Sequence, residues 1–293
     1  MIEVKAADER PHRPSSPDPR WREGYHFNVY DPANSIGLSI SVGIRPVLGV
    51  KEEVVSVHLP GPLVFLNLAS LEGEDAAEAG SVRMEPLVPL KKWRIWMRGS
   101  FRETEDGSPT NTLKEAGFDL CFESDIPPYG YPTTRGERYE QPGSLRGEVR
   151  IGERTIDLEG TGIRDHSWET RDMSQWQEWY ALMGWFESGE ALNFARIRFD
   201  DHTSCDGWLR TDRYHEIRNV RVEPGFSRGV LRQCQMVIET PIETSKRGWA
   251  VNAQPISLVA IPLGEPGKGR LVETLVRLGM GETRGYGFLW YRS

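Results

Sequence analysis

Between Gly160 and Phe186 the chain reads GTGIRDHSWETRDMSQWQEWYALMGWF, and groups that can move protons are interleaved there with large aromatic rings. Arg164, Asp165, His166, Arg171 and Asp172 lie among Trp168, Trp176, Trp179 and Trp185, four of the chain's 10 Trp. An exposed loop has no need of the indoles, and an apolar core admits the charges only as pairs. Two readings fit. In one, Arg164, Asp165, Arg171 and Asp172 form an ion-pair cluster that pins a junction, and His166 donates to a backbone carbonyl. In the other, the stretch lines a cavity. His166 and a neighbouring carboxylate then supply base and acid, and the indoles hold an apolar substrate.

The following strand bears on the choice. Trp179, Ala181, Met183 and Trp185 share one face, and Tyr180, Leu182, Gly184 and Phe186 share the other. Both faces are apolar, so the strand is expected to be buried on both sides. Asn193 then shares a face with Ala195, Ile197 and Phe199, where an amide needs a partner, either backbone or substrate. A second cluster, Arg138-Tyr139-Glu140-Gln141-Pro142-Gly143, sets a phenol and an amide at alternate positions. It is either an ordinary strand edge or a pair that orients a substrate oxygen.

The elements that must position these groups are strands. Ile36, Leu38, Ile40, Val42 and Ile44 alternate with small or polar residues, Trp93, Ile95 and Met97 alternate with Arg94, Trp96 and Arg98, and Phe118, Leu120 and Phe122 alternate with Asp119, Cys121 and Glu123. Trp93 is expected in the core and Trp96 on the opposite face. Gly152-Glu153 marks a hairpin turn, and Glu187-Ser188-Gly189-Glu190 separates two further strands. The uncharged run Val54 to Leu71 is broken by Pro60, Gly61 and Pro62, which predicts two strands and a turn and no membrane span. Helix signals are few, and the best of them, Glu74 to Glu78, is too short to hold alone. Many short strands punctuated by Gly and Pro predict an all-β chain of two sandwich or barrel domains, preceded by a flexible Pro-rich arm at residues 1–20. No fixed-period repeat is present, which disfavours a propeller or solenoid.

Composition narrows the function classes. The chain has 293 residues, 38% of them hydrophobic and 27% charged, with Lys+Arg 36 against Asp+Glu 43 and a net charge of -7. The acidic balance argues against nucleic acid as a partner. Ten Trp beside 9 Tyr and 10 Phe call for a thick aromatic core, an aromatic-lined cavity, or both. The 3 Cys (Cys121, Cys205, Cys234) form no Cys-x-x-Cys pair, and the 6 His form no metal-binding spacing. No nucleophile elbow, dinucleotide fingerprint or phosphate loop occurs. The expectation is a cytoplasmic protein with no cofactor and no metal.

The run Tyr139-Glu140-Gln141-Pro142-Gly143, the hairpin after it, and Gly162-Ile163-Arg164-Asp165-His166-Ser167-Trp168 with Arg171-Asp172 resemble the two-domain lipocalin-like proteins. That family includes carotenoid 1,2-hydratase (hydroxyneurosporene synthase), kievitone hydratase and fungal lipocalin-like Diels–Alderases. Phe27-Asn28-Val29-Tyr30-Asp31-Pro32 is similar to the start of the first domain in its uncharacterised bacterial members. The resemblance implies lipocalin-like antiparallel β-barrel or sandwich domains at 21–160 and 161–293, with an apolar ligand cavity near their interface. It implies a hydratase or dehydratase acting on a terpenoid, polyketide or aromatic compound. Asp165 and His166 would be the acid–base pair, with Arg171 and Asp172 orienting them and Tyr139 a second acid. Trp168, Trp176, Trp179, Tyr180 and Asn193 would shape the binding site. A cyclase that folds its substrate and a non-catalytic carrier of hydrophobic ligands are the alternatives, and a homodimer is allowed. One departure stands out: Glu169 occupies the place of the family's usual Gly, a residue often needed for a positive-φ turn or a close backbone approach.

Overall fold

The computed structural model describes residues 1–14, 17–60, 64–133, 136–241, 248–262 and 269–292, less residues 73–80. The helix expected at Glu74–Glu78 and the turn centred on Gly61-Pro62 lie outside the described residues. The chain divides into two compact units. The first comprises Met1–Glu105 and Pro109–Asp172, and the second Asp106–Ser108 and Met173–Ser293.

The first unit is a meander of antiparallel strands: β1 (Trp21–Asp31), β2 (Ile36–Arg45), β3 (Val50–His58), β4 (Val64–Glu72), β5 (Val82–Val88), β6 (Lys92–Glu105), β7 (Ser108–Glu123), β8 (Tyr129–Thr133), β9 (Gly136–Ile151) and β10 (Arg154–Thr170). The order β1-β2-β3-β4-β6-β7-β9 returns through β10, which bonds to both β9 and β1. The ring of strands therefore closes on itself, and closure removes exposed edges. Its interior carries Phe27, Val29, Leu38, Ile40, Val55, Trp93, Ile95, Phe101, Leu120, Phe122 and Val149. Leu38, Ile40, Trp93, Ile95, Leu120 and Phe122 among them are alternating residues the sequence marks, with Trp93 in the core and Trp96 half-buried under the Arg94 guanidinium at 4.8 Å.

The second unit is a nine-stranded antiparallel sheet. Its strands are β11 (Glu178–Phe186), β12 (Ala191–Arg198), β13 (Thr203–Arg210), β14 (Tyr214–Glu216), β15 (Asn219–Ser227), β16 (Val230–Glu239), β17 (Trp249–Pro262), β18 (Arg270–Met280) and β19 (Thr283–Arg292). β11 sits between β12 and β19, and Tyr180, Leu182 and Phe186 join its core. The all-β expectation holds throughout the described residues.

Strand continuity decides where the motif belongs. β10 runs on past Gly160 to Thr170, paired with β1 along Tyr30 to Trp21 and with β9 along Ser144 to Gly136. Asp165, His166 and Trp168 are therefore fixed in the first unit by ladder bonds on both sides. The Pro-rich segment expected as a flexible arm also contributes to that unit's interior. Its four-residue 3-10 turn Ala6–Glu9 carries a Glu9 only 2% exposed, and Ile2 bridges to Gly130. Proline and charge are the composition of a loose arm, but a charge with buried partners overrides that composition.

Candidate active site

Period-two alternation places Glu23, Tyr25 and Phe27 on one face of β1. It places Tyr139 and Gln141 on the matching face of β9, and Arg164, His166 and Trp168 on that of β10. Register aligns them: Arg164 stands opposite Phe27 and Gln141, and His166 opposite Tyr25 and Tyr139. Trp93, Phe122, Glu9 and His12 complete the group.

The centre of the group is the His166 imidazole. Its Nε2 lies 2.7 Å from Glu23 Oε1 and its Nδ1 lies 3.3 Å from the Tyr139 hydroxyl. The Tyr25 ring stacks on it with centroids 4.1 Å apart. Glu23 also accepts from the His12 backbone N–H at 2.8 Å and meets His12 Nδ1 at 3.0 Å. His12 in turn stacks on Trp168 with centroids 3.8 Å apart and planes 11° from parallel. His166, Glu23 and Tyr139 are each no more than 2% exposed.

Burial pulls the His166 pKa down, and the contacts with Glu23 only partly offset it. Burial alone would raise the Glu23 carboxyl, but hydrogen bonds from His12 and His166 outweigh it and hold the pKa below the usual value. At neutral pH the pair is therefore a carboxylate and a neutral imidazole. An ionised carboxylate only accepts, so hydrogen-bond logic assigns the ring proton to Nε2 and leaves Nδ1 as an acceptor facing Tyr139. Burial and the neighbouring Glu9 carboxylate push the Tyr139 phenol well above its ordinary range, against the pull of Arg164.

The Tyr139 hydroxyl has one proton and donates it to Glu9 Oε1 at 2.7 Å. Arg164 Nη2 donates to the same oxygen at 2.7 Å, and Trp93 Nε1 donates to Glu9 Oε2 at 2.6 Å. Arg164 Nη1 reaches the phenol oxygen at 3.3 Å, and its Nε donates to Gln141 Oε1 at 2.8 Å. The guanidinium is boxed by the rings of Trp93, Phe122 and Tyr139 at 5.1 to 5.5 Å.

The sequence-predicted residues are divided by this geometry. Tyr139, His166 and Trp168 come together. Asp165 does not join them: neighbours in a strand point to opposite faces, so its carboxylate pairs with Arg138 on the far side of the sheet. Arg138 also meets Glu140 at 3.0 Å, and Tyr131 donates to Glu140 at 2.8 Å. Asp165 thus belongs to an ion-pair cluster, although with a partner other than those foreseen. Asp172 pairs with Arg20 at 3.2 Å, and Arg171 with Glu169. The partners described for Arg171 and Asp172 do not include His166. Trp176, Trp179, Tyr180 and Asn193 lie in the second unit. There Trp176 and Trp179 pack with centroids 5.7 Å apart, Tyr180 joins the core beside Tyr291, and Asn193 is buried on β12. Glu9, His12, Glu23 and Trp93 are members that sequence reasoning did not select for the site, and Arg164, foreseen in an ion-pair cluster, finds its partner in Glu9.

Glu169 resolves the departure from the family motif. It stands opposite Gly136, where an added Cβ would fall 2.1 Å from the Trp168 carbonyl and 2.6 Å from the Glu169 Cβ. The glycine that the close approach needs sits on β9. The Glu169 pKa is held at about 2, because Arg171 and Arg138 overcome the effect of its burial.

His12, Glu23 and His166 also form a two-imidazole, one-carboxylate set whose ligating atoms all lie within 4.8 Å of one another, a donor set that could hold a divalent ion. A cavity of about 570 Å³ opens near Asp31, Asn34, Arg146, Asp157 and Glu159, at the opposite end of β1, and no member of the group lines it.

Comparison with solved structures gives the same fold at low identity. A protein assigned as AttH from Nitrosomonas europaea has a TM-score of 0.67 at 15% identity, with 92% of each chain covered. CghA bound to Sch210972 has 0.63 at 10%, covering 94% of this chain and 89% of that one. Kievitone hydratase from Nectria haematococca has 0.63 at 10%, covering 99% and 92%. The two-domain lipocalin-like resemblance therefore holds for the fold. None of the curated proteins matches the sequence. Residues 5–293 match the domain of unknown function DUF7064, and the chain belongs to that family.

Proposed function

We propose that the protein is an acid–base lyase of the hydratase or dehydratase type, acting on a largely apolar terpenoid, polyketide or aromatic substrate. The observation that carries this reading is the His166 ring, which spans the Glu23 carboxylate and the Tyr139 phenol inside an apolar barrel. Tyr139 exchanges the proton with substrate. His166 Nδ1 takes the phenolic proton when Tyr139 acts as a base and returns it when Tyr139 acts as an acid, and Glu23 stabilises the imidazolium that forms between these events. Arg164 supplies positive charge where a substrate oxygen gains negative charge. In hydration one C=C π bond and one O–H bond of water break, a C–H and a C–O bond form, and the water is consumed; dehydration is the reverse. That one fold neighbour is named a hydratase supports the reaction class and says nothing of the substrate.

The test is turnover of a panel of apolar alkenes and the corresponding alcohols in ¹⁸O-labelled water, followed by mass spectrometry. The wild type is expected to place one labelled oxygen in an alcohol product. Tyr139→Phe and His166→Gln, with unchanged circular dichroism, should each lose at least about 10²-fold in rate. Ligand binding without any chemical change would make the protein a carrier. Variants as fast as the wild type would remove Tyr139 and His166 from the chemistry.

A further inference from the structure

Glu9 sits in a receptor that is built for a carboxylate and does not depend on Glu9 for its shape. One carboxylate oxygen takes the Tyr139 hydroxyl and Arg164 Nη2, both at 2.7 Å, and the other takes the Trp93 indole N–H at 2.6 Å. Each donor is anchored from elsewhere. Arg164 Nε is held by Gln141 Oε1, and Gln141 Nε2 is fixed in turn on the carbonyls of Leu90 at 2.8 Å and Ile126 at 2.6 Å. Trp93 and Tyr139 are side chains of paired strands.

Glu9 itself belongs to no sheet. It ends a self-contained turn, in which Asp8 N–H bonds to the Lys5 carbonyl, Arg10 N–H to the Ala7 carbonyl, and Lys5 N–H to the Asp8 carboxylate. Pro11 and Pro14 follow it. The turn keeps its own hydrogen bonds if it leaves, and what holds it in place on either side is the Ile2–Gly130 bridge and the contacts of His12 with Glu23 and Trp168. The barrel would then hold a buried arginine with no anion, a state that strongly favours uptake of one.

Glu9 also takes the only proton of Tyr139, the proton that His166 Nδ1 would otherwise receive. While Glu9 is seated, the phenol is committed to a group of the protein itself.

We propose that the Ala6–Glu9 turn is an internal occupant of the substrate site, and that the ligand displacing it is an apolar molecule bearing a carboxylate. Its carboxylate replaces that of Glu9 on Arg164, Tyr139 and Trp93, and its apolar body takes the space of the turn beside Trp93 and of the His12 ring on Trp168. This rests on the acid–base reading for the identity of the site, but not for the binding itself.

The experiment is isothermal titration of the full-length chain with decanoate and with its methyl ester, comparing wild type, Glu9→Ala and Glu9→Ala/Arg164→Met. Glu9→Ala should bind decanoate at least about tenfold more tightly than the wild type, because the internal competitor is gone. The ester should show no such gain, and the added Arg164→Met should abolish it. Glu9→Gln, equal in size and uncharged, serves in the same comparison should Glu9→Ala not fold. Decanoate binding no tighter in the Glu9 variants than in wild type overturns the proposal, and so does an equal gain for the ester. Full turnover in Tyr139→Phe and His166→Gln alongside tenfold tighter decanoate binding would defeat the catalytic reading and leave this one standing. The opposite pattern would do the reverse.

Discussion

Glu23 and His166 meet diagonally across the β1–β10 ladder. Glu23 is in register with Trp168 and His166 with Tyr25, yet Oε1 and Nε2 are 2.7 Å apart. Diagonal contact is within reach of long side chains on one face of an antiparallel pair. It also places Glu23 where it can receive His12 from the N-terminal segment, so one carboxylate joins β1, β10 and the turn-bearing arm.

Removing that carboxylate should be costly. Glu23→Ala strips an acceptor from the His12 amide, the His12 ring, the His166 ring and the Tyr25 hydroxyl, which meets Glu23 at 3.3 Å. A loss of about 3 kcal/mol or more is expected from stranding buried donors. Asp172→Ala, at a partly exposed pair, should change stability by less than about 1 kcal/mol. Urea unfolding followed by tryptophan fluorescence checks both.

Stability should fall on acidification in two steps of the same sign. Burial depresses the His166 pKa below 6.5, so between 6.5 and the folded value the unfolded chain binds more protons and stability drops as pH falls. The Glu23 carboxyl is depressed below 4.5, so its contribution is fully present above 4.5 and is lost as pH falls through its folded value. Melting midpoints from pH 8 to 4 should decline from about 6.5 downward. His166→Gln should flatten the first part of that decline, and an unchanged profile in the variant would place the titration elsewhere.

The Glu9–Arg164 pair should show strong coupling. Arg164→Met leaves a carboxylate buried without its cation and should cost about 3–5 kcal/mol. Glu9→Gln in the same chain should recover more than half of that loss, because neither charge is then left unpaired. A double-mutant cycle in urea measures it, and simple additivity would contradict the pairing.

Much of this arrangement is legible in the sequence. Alternation alone sets His166 beside Arg164 and Trp168 and turns Asp165 away, so adjacency along the chain is a poor guide to chemistry in a strand. Glu23 also leaves a signal, because it falls on the apolar face Trp21, Tyr25, Phe27, Val29, and a carboxylate there demands partners. Glu9 and His12 leave none. They lie in a stretch rich in proline and charge, and only the long-range contacts with Arg164, Trp93 and Trp168 bring them inside. The pairing of Glu169 with a glycine on β9 is likewise a property of register, which a single strand's sequence does not contain.

Gly136 supplies a check on that register. Gly136→Ala should destabilise the β9–β10 pair by about 1–3 kcal/mol, since the new methyl group meets the Trp168 carbonyl and the Glu169 Cβ. Glu169→Gly should relieve no crowding and give no compensating gain. Thermal unfolding of the two variants decides the point.

The most direct test of the relay is the protonation state of His166, read by ¹⁵N NMR of imidazole-labelled protein at pH 7 with His166→Gln for assignment. The expected result is a neutral ring with its proton on Nε2, toward Glu23, and a bare Nδ1 toward Tyr139. An imidazolium at pH 7, or a neutral ring protonated at Nδ1, would contradict the assignment of His166 as the acceptor of the Tyr139 proton.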